Sequence, residues 1–207
     1  MTPATKTFAP PDGVPTLGVV LWVHGGCFTD GDETWDGAIA KHLSAAGLVV
    51  VTVRYRQGPA APWPAASHDL HLVHEMLALK YASVPIHVGG TSSGGFFAYD
   101  LACKVRAPKC GLMCPVLDAH ARFEFLADAS LKKNKQLLYF GDVPTMRAVT
   151  ERVYHQQRPR DLFIVTGDRD IDAPQAVCFP SETACVHTVA GGTHQMCARP
   201  PKEALRA

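Results

Sequence analysis

The sequence predicts an α/β fold in which a mostly parallel central sheet carries helices on both faces. Six short apolar runs recur along the 207 residues, without the alternation of polar and apolar residues that a half-exposed strand shows. Such runs are typical of strands that are covered on both faces. Helical patterns separate several of the runs, and strand–helix–strand alternation typically builds a parallel sheet. The length suits one domain, and we expect residues 1–207 to form it.

Each element has a place along the chain. The predicted helices cover residues 34–47, 67–82 and 93–107, with Gly47 as a candidate C-cap and Ser67 as a candidate N-cap. The predicted strands are the apolar runs 17–26, 48–55, 84–90, 110–117, 161–168 and 184–192.

Residues 119–158 break this alternation. They contain no strand pattern and are predicted to form two helices around the sequence FGDVP at 140–144. The segment is either the ordinary crossover to the next strand or a small lid. Both interpretations stay open, because connections of this length often carry function.

The composition narrows the classes of protein. Hydrophobic residues make up 47% of the chain and charged residues 19%, which predicts a sizeable buried core. The net charge is +1 and no long basic run occurs, so we expect no nucleic-acid partner. No apolar run approaches a membrane span, and the first residues lack the apolar segment of a secretion signal. Seven scattered cysteines, an odd number, favour reduced thiols and therefore a cytoplasmic location.

Two groups of potential metal ligands are weak signals. Cys110 and Cys114 are four residues apart, but no second pair matches them at zinc-site spacing. His68, His71 and His74 recur every third residue on a predicted helix, where exposed histidines are ordinary. We therefore expect no metal site and no cofactor.

The sequence GTSSG at 90–94 lies between a predicted strand and a predicted helix. A Gly-x-Ser-x-Gly in this context is the arrangement of a nucleophile elbow, a tight turn that exposes a serine at the top of a sheet. Side chains at Gly90 and Gly94 would collide with neighbouring backbone. The pattern predicts Ser92 as the nucleophile, and the alternative register would use Ser93.

One segment before the elbow and two after it offer the partners that a nucleophilic serine requires. A hydroxyl is a poor nucleophile until an oriented base takes its proton. Glycines in HGGCF, at 24–28, would let backbone N–H groups approach a developing oxyanion. The turn at 165–172 offers carboxylates, and the loop at 190–196 offers His194. Serine, acid and histidine each follow a strand, in the chain order of this type of fold. The candidate acids are Asp168, Asp170 and Asp172.

Together these motifs resemble the α/β-hydrolase superfamily, and within it the hormone-sensitive-lipase-like esterases and related acyl hydrolases. HGGCF resembles that branch's His-Gly-Gly-Gly-aromatic motif, and GTSSGG resembles its Gly-Asp-Ser-Ala-Gly-Gly elbow. VRYRQGPAAPWPAASHDL, at 53–70, resembles its Tyr-Arg…Pro…Phe-Pro-Ala-Ala…Asp stretch. The resemblance covers roughly residues 17–197.

The resemblance assigns roles to individual residues. Ser92 would be the nucleophile, His194 the base and Asp170 the acid, because the family places its acid in a Gly-x-x-Asp turn. The oxyanion would be held by the backbone N–H groups of Gly26, Cys27 and Ser93.

The chain also departs from the family pattern. Cys27 stands where the branch has a third glycine, and the kynurenine-formamidase-like group carries a larger residue there, which keeps a formamide or amide substrate open. Thr91 replaces the acidic residue of the elbow, a change for which we expect little consequence. Sixteen residues precede the first apolar run, so the cap is expected to be minimal and the pocket open or covered by a second subunit of a homodimer.

These observations predict a serine hydrolase that cleaves small-molecule carboxylic esters with short acyl groups through an acyl-enzyme. One alternative is an aryl-formamidase or amidase with the same three residues. Another is a non-catalytic ligand-binding protein on the same scaffold.

Overall fold

Seven strands form one twisted sheet in the computed structural model, which describes residues 2–174 and 185–201. The strands are β1 (Ala4–Phe8), β2 (Gly18–Val23), β3 (Leu48–Arg54), β4 (Ile86–Thr91), β5 (Lys109–Met113), β6 (Asp161–Gly167) and β7 (Cys185–Val189). Their order in the sheet is β1-β3-β2-β4-β5-β6-β7. Strand β1 pairs antiparallel with β3, and all the other neighbours pair in parallel.

The helices follow the strands as crossovers. They are α1 (Gly37–Ala45), α2 (Ala65–Lys80), α3 (Ser92–Val105), α4 (Ala119–Phe125), α5 (Leu131–Phe140) and α6 (Val143–Tyr154), and a short 3-10 helix covers His194–Cys197. In the described part of the chain no helix is long and apolar enough to cross a membrane.

Both faces of the sheet are covered, as the continuous apolar runs predict. All six residues of β2 are buried. Val19, Leu21 and Val23 pack into the large core, whereas Val20 and Trp22 point the other way into a smaller core with residues of α1. Alternate side chains of a strand face opposite sides of the sheet, so a strand in the middle of two helical layers must be apolar throughout.

The edge strand β1 is absent from the sequence prediction. Four of its five residues are exposed, and Ala4 lies opposite Arg54 of β3. An edge strand with little buried surface needs no apolar run, so the pattern that identifies the central strands cannot find it.

Two predicted boundaries are wrong. Strand β5 ends at Met113 instead of residue 117, because Cys114 adopts a left-handed conformation (φ 45°) and Pro115 has no N–H for the sheet ladder. Ser67 is not an N-cap: α2 begins at Ala65, and the Ser67 hydroxyl donates to the buried carboxylate of Asp100. Gly47, by contrast, follows the end of α1 with φ 93°.

Residues 119–158 contain three helices where two are predicted. The second and third meet at FGDVP, where Gly141 has φ 87° and Asp142 accepts a hydrogen bond from Thr145 N at 2.6 Å. The additional helix α4 begins after Asp118, whose carboxylate accepts from Ala121 N at 2.7 Å. This helix has only seven residues, too few for a clear helical periodicity in the sequence.

Candidate active site

Ser92 lies at the junction of β4 and α3 in a strained conformation. Its φ is 50°, in the left-handed region that non-glycine residues rarely adopt. A Cβ on Gly94 would lie 2.2 Å from the His24 carbonyl oxygen, and a Cβ on Gly90 would lie 2.8 Å from that of Val23. Glycine is therefore required on both sides of the serine, for the steric reason expected from the sequence. Strain of this kind concentrates at functional sites.

A chain of hydrogen bonds connects Ser92 to the two partners expected from the sequence. Ser92 Oγ lies 2.8 Å from His194 Nε2, and His194 Nδ1 lies 2.8 Å from Asp170 Oδ2. The second carboxylate oxygen of Asp170 accepts from the N–H groups of Asp172 and Ala173 at 2.9 and 2.8 Å. Every oxygen of this buried carboxylate thus has a partner, which fixes its direction toward the imidazole.

The charge on Asp170 is stabilised. Burial alone would raise the pKa of this carboxyl, but the hydrogen bond and charge of His194 and the two backbone N–H groups together hold the pKa of Asp170 below its ordinary value. An ionised carboxylate at Nδ1 keeps the proton on that nitrogen and leaves Nε2 free to accept one from the serine.

The other two acidic residues of the turn point elsewhere. Asp168 Oδ1 accepts from Gly191 N at 2.7 Å, and the carboxylate of Asp172 pairs with Lys132. The turn is brought against the histidine loop by close glycine packing: a Cβ on Gly167 would lie 2.2 Å from the carbonyl oxygen of Gly192. Of the three candidates, Asp170 is the one whose carboxylate contacts His194.

The loop after β2 is also strained. Gly26, Cys27 and Phe28 have φ values of 127°, 52° and 70° in succession. A Cβ on Gly26 would lie 1.9 Å from the Asp30 carbonyl oxygen, so only glycine fits there. Gly26 and Cys27 line the same cavity as Ser92 and His194. Cys27 adopts the left-handed region in spite of its side chain, at a conformational cost of about 1–3 kcal/mol.

Ser93 contributes more than the backbone N–H group that the family resemblance assigns to it. Its Oγ accepts a hydrogen bond from Phe28 N at 3.2 Å, which ties the strained loop to the start of α3. The phenyl ring of Phe28 is fully buried and packs edge-on against Phe96 and Phe97, so all three rings belong to the core under the elbow.

Residues of the stretch at 53–70 support this loop from behind. Tyr55 donates its hydroxyl proton to the His24 carbonyl oxygen at 2.9 Å, and its ring stacks on that of His24 with centroids 4.5 Å apart. Gln57 Nε2 donates to Gly31 O at 3.0 Å. Burial lowers the pKa of His24, and its Nδ1 lies 2.6 Å from Gly25 O, so the neutral ring carries its proton on Nδ1.

A buried carboxylate that sequence reasoning missed lies behind the elbow. Asp36 Oδ2 accepts from Thr91 Oγ1 at 2.6 Å and from the indole N–H of Trp22 at 2.8 Å. Thr91 Oγ1 in turn accepts from Gly25 N at 2.9 Å. Burial raises the pKa of Asp36 to about 6, although both hydrogen bonds act in the opposite direction. The threonine at the elbow is therefore not a neutral replacement, because it connects the loop after β2 to this carboxylate.

Ser92 and His194 line a cavity of about 380 Å³. Trp35 forms part of its wall with half of its surface exposed, and Lys132 of α5 forms another part beside Asp172. The remaining lining residues are Gly25, Gly26, Cys27, Asp36, Thr91, Gln195, Cys197 and Ala198.

The two groups of potential metal ligands that stand out in the sequence do not form metal sites among the described residues. Within residues 2–174 and 185–201, neither Cys110 nor the histidines at 68, 71 and 74 belong to a group of three close ligand atoms. Cys114 does belong to such a group, but with His194 and Cys197 instead.

Comparison with known proteins identifies the family. Residues 20–183 match the family described as having the alpha/beta hydrolase fold. Esterase LipI of Mycobacterium tuberculosis is 38% identical over 94 residues, which are 42% of this chain and 29% of the relative. Gibberellin receptor GID1B of Arabidopsis thaliana is 32% identical over 118 residues, 52% of this chain and 32% of the receptor. The matched part of the chain thus covers about a third of the length of each of these relatives.

A solved esterase structure from Pyrobaculum calidifontis superposes with a TM-score of 0.78, covering 98% of this chain and 78% of that one at 22% identity. At 22% sequence identity, this structural similarity shows a shared fold and nothing more. The motifs, the strand order of the sheet and the match over residues 20–183 all indicate the same family. This chain belongs to the α/β-hydrolase fold family.

Proposed function

We propose that this chain hydrolyses small carboxylic esters by acyl transfer through Ser92. The observation that carries the proposal is the continuous hydrogen-bond chain from Ser92 Oγ through His194 to Asp170, at 2.8 Å for each step, at the wall of a cavity. Nucleophile, base and orienting acid in this geometry are what serine acyl transfer requires.

In the first half of the reaction His194 Nε2 accepts the proton of Ser92 as Oγ attacks the ester carbonyl carbon. The backbone N–H groups of Gly26, Cys27 and Ser93 would bind the oxyanion that forms. Asp170 stabilises the positive charge that develops on the imidazole. His194 then gives the proton to the leaving alcohol, and the acyl group stays on Ser92.

In the second half water attacks the acyl-enzyme. His194 accepts the proton of this water and then gives it to Ser92 Oγ as the ester bond to that oxygen breaks and the acid is released. Every group that this cycle uses belongs to the chain itself, and the cycle returns each one to its starting protonation state.

We further propose a preference for short acyl groups. A cavity of about 380 Å³ lies at the lower end of the range of small-ligand sites, and it must hold both the acyl and the alcohol part. The contribution of residues 119–158 to this pocket as a lid is part of the same proposal, because Lys132 of α5 lines the cavity.

We also propose a cytoplasmic location and a homodimeric assembly. Six cysteines in the described residues are free thiols, among them the exposed Cys185, which suits a reducing, cytoplasmic compartment. We propose a homodimer in which the second subunit covers the cavity. Size-exclusion chromatography with light scattering tests the homodimer.

The alternatives differ in what they turn over. The test measures release of p-nitrophenol from the butyrate ester by the wild type and by Ser92→Ala, followed by mass spectrometry after treatment with a serine-reactive phosphonate. Turnover that disappears in Ser92→Ala, with the phosphonate on Ser92, supports the proposal. Faster turnover of an N-formyl arylamine than of any ester would support the formamidase. No turnover and no labelling would support the non-catalytic ligand-binding protein.

A further inference from the structure

Two cysteines lie beside the candidate base, although no residue pattern in the sequence pairs them. Cys114 immediately follows β5, and Cys197 ends the 3-10 helix that begins at His194. The ligand atoms of Cys114, His194 and Cys197 all lie within 4.8 Å of one another. The proposed esterase mechanism uses neither thiol.

The backbone holds these three side chains together. His194 and Cys197 are separated by three positions on a 3-10 helix, where side chains at this spacing eclipse each other. Cys197 Sγ lies 3.6 Å from the carbonyl oxygen of Met113, the last residue of β5. Cys114 has φ 45°, and its N–H donates to Val165 O at 2.7 Å, so its position is fixed against β6.

The donor set matches one class of ligand. Thiolate sulfur and imidazole nitrogen together favour zinc and similar thiophilic cations over magnesium or calcium. With Zn–S bonds of about 2.3 Å and Zn–N bonds of about 2.0 Å, ligand atoms in a tetrahedral site lie roughly 3.4–3.8 Å apart. The three ligand atoms lie at most 4.8 Å from one another, so small rotations of the side chains would bring them to the tetrahedral spacing.

Access and a fourth position are also present. His194 and Cys197 line the cavity of about 380 Å³, so a hydrated cation can reach them, whereas Cys114 is fully buried behind. Three protein ligands leave one position for water from the cavity, as in open zinc sites.

We propose that Cys114, His194 and Cys197 bind a thiophilic divalent cation such as Zn²⁺, which thereby switches off the candidate base. On binding, the two thiols release their protons to solvent and coordinate as thiolates. The third ligand is a ring nitrogen of His194. Nε2 contacts Ser92 and Nδ1 contacts Asp170, so either nitrogen is lost to the hydrogen-bond chain when it is metallated. The binding step stands independently of catalysis, whereas the inhibition rests on the proposed esterase function.

Binding is tested with Co²⁺ as a spectroscopic probe on Ser92→Ala, which retains all three ligands. We expect one equivalent of Co²⁺ to produce a thiolate-to-metal charge-transfer band, and Zn²⁺ to remove it. Cys114→Ala and, separately, Cys197→Ala in the same background should weaken binding by at least about tenfold, since even the loss of outer partners of a metal ligand costs that much. Histidines elsewhere on the surface can bind Co²⁺ but produce no thiolate band.

Cys110→Ala is the matched control, because Cys110 is a fully buried thiol on β5, the strand that Cys114 immediately follows, and lies outside the ligand group. Circular dichroism checks that each variant is folded. An unchanged thiolate band in both Cys114→Ala and Cys197→Ala, or no band in the parent, would overturn the proposed site.

Inhibition is measured separately on the enzyme with Ser92 intact. Zn²⁺ should inhibit ester turnover of the wild type and of Cys110→Ala, and a chelator should restore it. Cys114→Ala, compared with its own metal-free rate, should need at least about tenfold more Zn²⁺. Equal sensitivity of Cys114→Ala and the wild type would contradict the switch. If the chain hydrolyses no ester, the proposed function fails while the Co²⁺ titration still decides the site.

Discussion

Thr91 and Asp36, 55 positions apart in the chain, share a buried hydrogen bond of 2.6 Å directly behind the candidate nucleophile. The same threonine oxygen accepts the N–H of Gly25, so one short path connects a buried carboxylate, the elbow and the loop after β2. The family pattern has an acidic residue at the elbow position itself. In this chain a threonine occupies the elbow, and the carboxylate comes from the residue before α1.

Replacement of Asp36 by alanine should destabilise the protein. The indole N–H of Trp22 and the hydroxyl of Thr91 would lose their acceptor in a buried place, which costs about 1–3 kcal/mol for each unsatisfied group. Asp36→Asn keeps an oxygen acceptor and is the matched control, with a smaller expected loss. Urea unfolding of the three proteins at one pH measures the difference. Equal stability of Asp36→Ala and the wild type would show that this network contributes nothing.

The titration of Asp36 should appear in the pH dependence of stability. Its pKa is raised from an ordinary 3.8 to about 6 in the folded state. As pH rises through this window, the unfolded chain releases the proton first, so the folded state binds more protons and stability falls until pH is above about 6. A shift of about two units corresponds to about 3 kcal/mol. The free energy of unfolding of the wild type minus that of Asp36→Asn should therefore decrease by about this amount between pH ~3 and ~7. A difference independent of pH would contradict the raised pKa.

The two serines of the elbow should differ strongly. Ser92→Ala should lower kcat on the order of a millionfold, as removal of a nucleophile does in serine hydrolases. Ser93→Ala keeps its backbone N–H but loses the acceptor of Phe28 N, so we expect a loss of about tenfold in kcat/KM through a looser loop. Steady-state rates on p-nitrophenyl butyrate separate the two. A larger loss in Ser93→Ala would mean that the nucleophile is one residue further along.

The three carboxylates of the turn should separate in the same way. Asp170→Asn should lower kcat by about 10⁴, because the amide stabilises the wrong tautomer of the imidazole. Asp168→Asn and Asp172→Asn are controls in the same turn, and each should cost far less, since their carboxylates contact Gly191 N and Lys132. Full activity of Asp170→Asn together with an inactive Asp168→Asn would move the acid two residues upstream.

Chain-length preference tests the size of the cavity. An acyl chain gains about 25 cal/mol for each Å² of apolar surface removed from water, but only where the pocket covers it. Under the short-acyl proposal, the cavity of about 380 Å³ covers an acetyl or butyryl group and leaves part of a longer chain in solvent. We expect kcat/KM on p-nitrophenyl esters to peak at short acyl chains and to fall by the decanoate. A maximum at palmitate, or activation at a lipid interface, would contradict the short-acyl proposal.

The order of elements and the elbow could be predicted from sequence because local rules specify them. A buried central strand must be apolar on both faces, and the turn at Ser92 admits no Cβ at Gly90 or Gly94. These requirements act on residues near one another in the chain, so they leave a readable pattern. The resemblance to a family then singled out Asp170 among three carboxylates that the pattern alone left equivalent.

Outside the motifs that the family resemblance covers, only the tertiary structure decided which distant side chains meet. Nothing in the spacing of Asp36 and Thr91, or of Cys114 and Cys197, marks them as neighbours. The parallel sheet brings the ends of β4, β5 and β6 to one edge, and the turns that leave those ends set the direction of each side chain. Hydrogen bonds and metal ligation require distances that are correct to within a few tenths of an ångström, and long-range packing sets those distances. Residue types and their order in the chain therefore predicted which kinds of reactive group are present. The fold decided which of these groups come into contact with one another.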